Sequence, residues 1–87
     1  MPRVCRAGID KAGGLILGGS STVFIDGFPV ALQGNRISTH GDSPHNNAII
    51  INGSSNFIVD GIPVCVEGTS KGTCGHIASS TSSVIVP

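Results

Sequence analysis

Four side chains able to ligate a metal fall in two polar stretches of this chain. His40 and His45 lie in Thr39-His40-Gly41-Asp42-Ser43-Pro44-His45, and Cys74 and His76 lie in Thr73-Cys74-Gly75-His76. They include every histidine and one of the three cysteines. Three imidazole nitrogens and one thiolate make a full tetrahedral set for Zn²⁺, with Zn–S at about 2.3 Å and Zn–N at about 2.0–2.1 Å. Fe²⁺ is the alternative ion, but mixed sulfur and nitrogen ligation favours zinc. The Gly-Asp-Ser-Pro turn can fold His40 and His45 to one side. Neither pair has a zinc-finger spacing, so the case for a site depends on the two stretches meeting; the competing reading is exposed histidines and an unrelated thiol. A site that fills all four positions with protein ligands is structural rather than catalytic.

Other chemistry finds little footing. Glu67 is the only glutamate, and alternation puts it on a strand. Asp42 reads as a turn residue or as a hydrogen-bond partner of a ligand imidazole. Asp26 and Asp60 belong to turns, and no Ser or Thr is flanked by a convincing base, so an enzyme is not expected. Cys5 and Cys65 each follow a Val and read as buried structural thiols. A bridge between them requires that the fold bring the two together in an oxidising compartment.

The elements that must position the ligands are set by an internal repeat. Gly19-Ser20-Ser21 through Asp26-Gly27-Phe28-Pro29-Val30 to Gly34 recurs 34 positions later, from Gly53-Ser54-Ser55 through Asp60-Gly61-Ile62-Pro63-Val64 to Gly68, with eight of sixteen positions identical. A third unit is divided between the ends: Val4-Cys5-Arg6-Ala7-Gly8 matches the second half and Ser82-Ser83-Val84-Ile85-Val86 the first. Asp-Gly between β-branched and aromatic runs predicts a hairpin with a two-residue type I′ turn in each full unit. Pro29 and Pro63 lack an N–H and predict edge or irregular strands. No segment has helical apolar spacing, so the chain is expected to be all-β. A small β-sandwich or stacked solenoid coils would also use such units, but the divided third copy favours a closed three-fold arrangement with the last strand beside the first. The loops after the full units, Asn35 to about Asn47 and Thr69 to about His76, are unequal in length and hold the ligands.

Composition narrows the partners. The 87 residues form one small domain, 1–87, with five basic and five acidic side chains and three aromatics. There is no basic surplus or Lys/Arg cluster, so neither nucleic-acid binding nor a polybasic membrane anchor is expected. The longest apolar runs are far short of the roughly 20 residues needed to span a bilayer. Met1-Pro2-Arg3-Val4-Cys5-Arg6 is not followed by the apolar region of a signal peptide, so synthesis and folding in the cytoplasm are expected. Charged residues are 11% of the chain, against roughly 25% in average domains, while Gly, Ser, Thr, Val and Ile abound. A core built from such small side chains is marginal at this size, which calls for a staple or a partner.

The repeated Gly-Ser-Ser-x-x-x-x-Asp-Gly-x-Pro-Val-x-x-x-Gly units, the histidine-bearing loop between them and Cys74-Gly75-His76 before a last short strand together resemble the PAAR-repeat family. The resemblance covers nearly all of the chain. It implies a small cone of three pseudo-three-fold-related hairpin-like units with a metal near the apex. It further implies a structural tip, one copy per trimer, on the β-helical spike of a type VI secretion system or contractile-tailed phage. Such a tip aids piercing of the target envelope, meets the membrane only during piercing, acts outside the cell and can share the spike with secreted effectors. No toxin extension is expected at either end. The family's Pro-Ala-Ala-Arg segment reads Pro29-Val30-Ala31-Leu32 and Pro63-Val64-Cys65-Val66 in the full units, without the Arg. A first-loop histidine found in many members is replaced by Lys11-Ala12-Gly13-Gly14. The resemblance therefore carries metal binding onto His40, His45 and Cys74, and His76 enters as the fourth ligand from the donor count. A free-standing metal-stabilised β-domain that binds a protein or ligand through its loops is the competing function.

Overall fold

Asp and Gly together tolerate positive φ at both central positions of a tight turn, and both Asp-Gly pairs are used in that way. Asp26 and Gly27 have φ of 54° and 85°, Asp60 and Gly61 55° and 77°. These are the two-residue type I′ turns expected from the repeat. A computed structural model describes residues 2–86 and has no helix among them. Its strands are β1 (Lys11–Ala12), β2 (Gly14–Leu15), β3 (Phe24–Ile25), β4 (Phe28–Pro29), β5 (Ile58–Val59) and β6 (Ile62–Pro63), paired antiparallel as β1–β2, β3–β4 and β5–β6. The β1–β2 pair was not anticipated. It turns through Gly13 alone, a connection without the Asp-Gly signal.

The segments that follow the Asp-Gly turns close on one another in a ring. Val4 bridges Val66, Arg6 bridges Val30 and Leu32 bridges Val64. At the centre, the Cys5 N–H donates to Cys65 O, the Cys65 N–H to Ala31 O and the Ala31 N–H to Cys5 O, each at 2.9 Å. Two residues further along, the N–H groups of Ala7, Gln33 and Glu67 donate to the carbonyls of Pro29, Pro63 and Arg3 at 2.8, 2.9 and 2.9 Å. The prolines thus stand where the ring asks for an acceptor and never for a donor. The last segment lies beside the first, as the divided repeat implied: Arg3 bridges Ile85, and the Val86 N–H donates to Pro2 O at 2.8 Å. Glu67 was expected on a strand but opens the turn after Val66, because the chain leaves the ring there.

Period-two alternation splits the ring residues between two cores. Cys5, Ala31 and Cys65 join Ala12, Ile16, Ile37, Ala48, Ile50 and Ala78 in one cluster, with Cys74 packed against it. Val4, Val30 and Val64 join Ile25, Leu32, Val59, Val66 and Val86 in the other, on the hairpin side. Cys5 and Cys65 are buried free thiols. Contact with the Cys65 thiol, then burial, pushes the Cys5 thiol far above its ordinary range, which keeps it inert.

Each ring segment is capped by a different side chain. The N–H of Arg6 donates to Asp10 Oδ2 at 2.7 Å, that of Leu32 to Asn35 Oδ1 at 2.7 Å and that of Val66 to Ser70 Oγ at 2.9 Å. The Arg missing from both full repeats therefore stands in the terminal copy, at Arg6. Its guanidinium is nearly fully buried, with Nε and Nη2 on the two Asp10 oxygens at 2.9 and 3.1 Å, Nη1 on Asp26 at 3.0 Å and Nη2 on Thr81 at 2.8 Å. Ser80 Oγ and the Thr81 N–H also donate to Asp10, so one buried ion pair joins the first segment, a hairpin turn and the C-terminal segment. Burial opposes ionisation of Asp10, but the hydrogen bonds from Arg6, Ser80 and backbone N–H groups outweigh it and hold its carboxyl below the usual range. The stabilisation is thus fully present above about pH 3.9 and is lost as pH falls through the lower folded value.

Asp10→Asn leaves the buried Arg6 without its main counter-charge and should cost roughly 3–5 kcal/mol in denaturant melts. The double variant Arg6→Leu/Asp10→Asn reproduces the Leu32/Asn35 pairing of the second unit. It should recover more than half of that loss, whereas a double variant no more stable than Asp10→Asn would refute the equivalence of the two positions.

Candidate metal centre

Three turns project from the same end of the ring: Ala12 to Gly14 between β1 and β2, Ser38 to Asn47 beyond Ile37, and Gly72 to His76 beyond Lys71. The second is closed at its foot by the Ile37 N–H donating to Ala48 O at 2.9 Å, the third by the Gly72 N–H donating to His76 O at 3.0 Å. Within the second, the His40 N–H donates to His45 O at 3.1 Å and the His45 N–H to Asp42 O at 2.7 Å, which folds both imidazoles to one side. The two ligand-bearing turns are tied by the Thr73 N–H to Ile49 O at 2.9 Å and the Ile49 N–H to Thr73 Oγ1 at 3.2 Å.

All four candidate ligands converge. His40, His45, Cys74 and His76 present one donor atom each, all within 4.8 Å of one another. The three imidazole centroids form a nearly equilateral triangle with sides of 5.0, 5.1 and 5.0 Å. Tetrahedral zinc places two nitrogens about 3.3 Å apart and a nitrogen and a sulfur about 3.6 Å apart, from the bond lengths alone. His40 Nε2 lies 3.2 Å from His45 Nδ1 and 3.6 Å from Cys74 Sγ. The donor set and spacing fit a metal, with three ligands half-buried and His76 exposed.

The partner that aims His40 is one sequence reasoning missed. His40 Nδ1 lies 2.8 Å from the Ser38 carbonyl, so the proton sits on Nδ1 and the Nε2 lone pair faces the cluster. Ser38 is itself fixed to β2: its N–H donates to Leu15 O and its Oγ accepts from the Leu15 N–H, both at 2.8 Å. Asp42 takes the turn role among its two alternatives, through its carbonyl. A carbonyl partner carries no residue-type signal, which is why the sequence is silent on Ser38.

The first turn supplies room where the other two supply ligands. A Cβ on Gly13 would lie 2.4 Å from His76 Cδ2 and 2.6 Å from His40 Nε2, and its φ of +86° also disfavours other residues. Gly13 thus leaves the space that the His40 and His76 rings occupy, and any side chain there would push into both.

Residues 8–75 match the family described as PAAR motif. The match spans most of the chain, and the chain belongs to the PAAR motif family. No curated protein matches it significantly.

A structural site of this kind predicts that Cys74→Ala abolishes stoichiometric metal binding and lowers the melting temperature together. An unchanged melting temperature would show that the cluster does not hold the fold. Gly13→Ala, which touches no donor atom covalently, should weaken metal retention in a chelator competition by on the order of 10–100-fold.

Proposed function

We propose that this protein is the tip of a contractile injection spike. One copy caps the end of a trimeric β-helical spike, and a structural Zn²⁺ pins its loops into a point that aids passage through a target envelope. The observation that carries this reading is the ring of backbone bonds joining three equivalent segments of one chain. A single polypeptide with pseudo-three-fold bonding is what a symmetric trimer needs if it is to be closed by one molecule. The body measures 33 × 23 × 21 Å, and two nearly equal short axes fit a cone with that pseudo-axis along its length.

The hairpin end supports a role as the base. Phe24, Ile58 and Ile85 hold equivalent positions and are 56, 50 and 54% exposed, while their neighbours Ile25, Val59 and Val86 are buried. An apolar group repeated once per unit is suited to a trimer end, and the metal cluster occupies the opposite end. Four protein donors leave the ion no open position, so the proposed role is mechanical and not catalytic. On this reading the protein is made in the cytoplasm, joins the spike and leaves the cell with it. Zn²⁺ would be held by His40, His45, Cys74 and His76, where it would cross-link two turns whose tips only Cys74 connects to the core.

Mixing the protein with a purified trimeric spike end and measuring the native mass tests the proposal. One copy per trimer is expected, and Ile58→Asp should weaken the complex at least tenfold. No complex, or three copies per trimer, would contradict capping and leave a free-standing binding domain.

A further inference from the structure

The five cations are scattered in the sequence, but the fold sorts them. Arg6 is buried on Asp10, and Arg3 lies 3.6 Å from Glu67. The other three, Lys11, Arg36 and Lys71, are exposed, and none of them forms an ion pair with the described residues. They occupy equivalent positions, one at the foot of each turn that forms the metal end. Lys11 pairs with Leu15, Arg36 with Ile49 and Lys71 with Ile77 across those feet. The carbonyl of each accepts a backbone N–H from the preceding unit around the ring: Lys11 from Ser79 at 2.8 Å, Arg36 from Leu17 at 2.8 Å and Lys71 from Ile51 at 3.0 Å.

Residues paired across antiparallel strands project to the same face. The three cations and their outward partners thus make a closed belt just below the metal cluster. Leu17, Ile49, Ile51 and Ile77 are 40, 38, 43 and 52% exposed on it. No acidic side chain belongs to the belt. Asp10, next to Lys11, is buried on Arg6; Asp26, Asp60 and Glu67 lie on the hairpin side of the ring, and Asp42 is at the far tip of its turn.

We infer that this belt is a binding surface for the anionic headgroups of a lipid bilayer, with its cations on lipid phosphates and its aliphatic side chains in the acyl boundary. Charge complementarity selects that occupant: three unpaired cations alternate with aliphatics, the combination by which interfacial segments bind anionic membranes. The encircling geometry selects it too. A protein partner reads one side of a molecule and favours aromatic anchors in pockets, whereas a membrane entered by a tip surrounds it. The phenylalanines Phe24, Phe28 and Phe57 all lie in the hairpin half. The sequence, lacking a Lys/Arg cluster, gave no reason to expect a cationic surface; the fold assembles one. The belt is distinct from the hairpin end proposed to meet the spike, so lipid binding and capping can fail separately.

The test is flotation of the zinc-loaded, full-length protein with vesicles of phosphatidylcholine alone or mixed equally with phosphatidylglycerol. Partitioning onto the anionic vesicles should exceed that onto neutral ones by on the order of a hundredfold at low salt, about fivefold per cation, and should collapse at high salt. The variant Lys11→Gln/Arg36→Gln/Lys71→Gln should bind both vesicles alike while keeping its melting temperature, zinc content and spike binding. Lys71→Gln alone should lose about fivefold, which keeps the test available if the triple variant folds poorly. Equal binding of the native protein to both vesicles, or unchanged anionic binding by the variants, would overturn the inference. So would loss of spike binding in a folded triple variant, which would make the belt a protein interface.

Discussion

Everything in this molecule depends on three backbone hydrogen bonds, Cys5 to Cys65, Cys65 to Ala31 and Ala31 to Cys5. Three extended segments can meet so closely only if the residues at the meeting point are small, and Cys, Ala and Cys meet that condition. They are fully buried there. A larger side chain would force the segments apart, and the pairings of Val4 with Val66, Arg6 with Val30 and Leu32 with Val64 would go with it. The ring is closed, so it leaves no strand edge at its centre to recruit another chain.

The ring also explains where stability must come from. Its fully buried side chains are no larger than Ile, so hydrophobic burial is modest for a chain of this length. Polar devices supply the rest: Asp10, Asn35 and Ser70 cap the three segments, and the Arg6–Asp10 pair fastens the terminal segments to the Asp26 turn. Beyond the cap residues the chain leaves the ring as three turns, whose feet share the core of Ala12, Ile16, Ile37, Ala48, Ile50 and Ala78 with Cys74 packed against it. The four-donor cluster lies where these turns converge, and coordination there would hold their tips without apolar volume.

Much of this was legible in the residues. The Asp-Gly pairs announced the hairpins, the divided repeat announced that the ends meet, and the histidines and Cys74 announced a cluster. What escaped notice has physical reasons. The β1–β2 pair turns on a single glycine, which has no pattern of its own. The Ser38 carbonyl that aims His40 belongs to the backbone, which every residue shares. Arg6 falls in the terminal copy, away from the two intact repeats that carry the rest of the pattern. Lys11, Arg36 and Lys71 become neighbours around the body only through closure of the ring, so no window of sequence contains them.

The central claim is that one metal ion, bound by three imidazoles and one thiolate, closes the end of a ring-shaped chain. X-ray absorption at the zinc edge of protein purified without affinity metals, with elemental content on the same sample, tests it most directly. The account predicts about one zinc per chain with one sulfur at about 2.3 Å and three nitrogens at about 2.0–2.1 Å. A folded protein with no bound metal, or a coordination shell without sulfur, would contradict it.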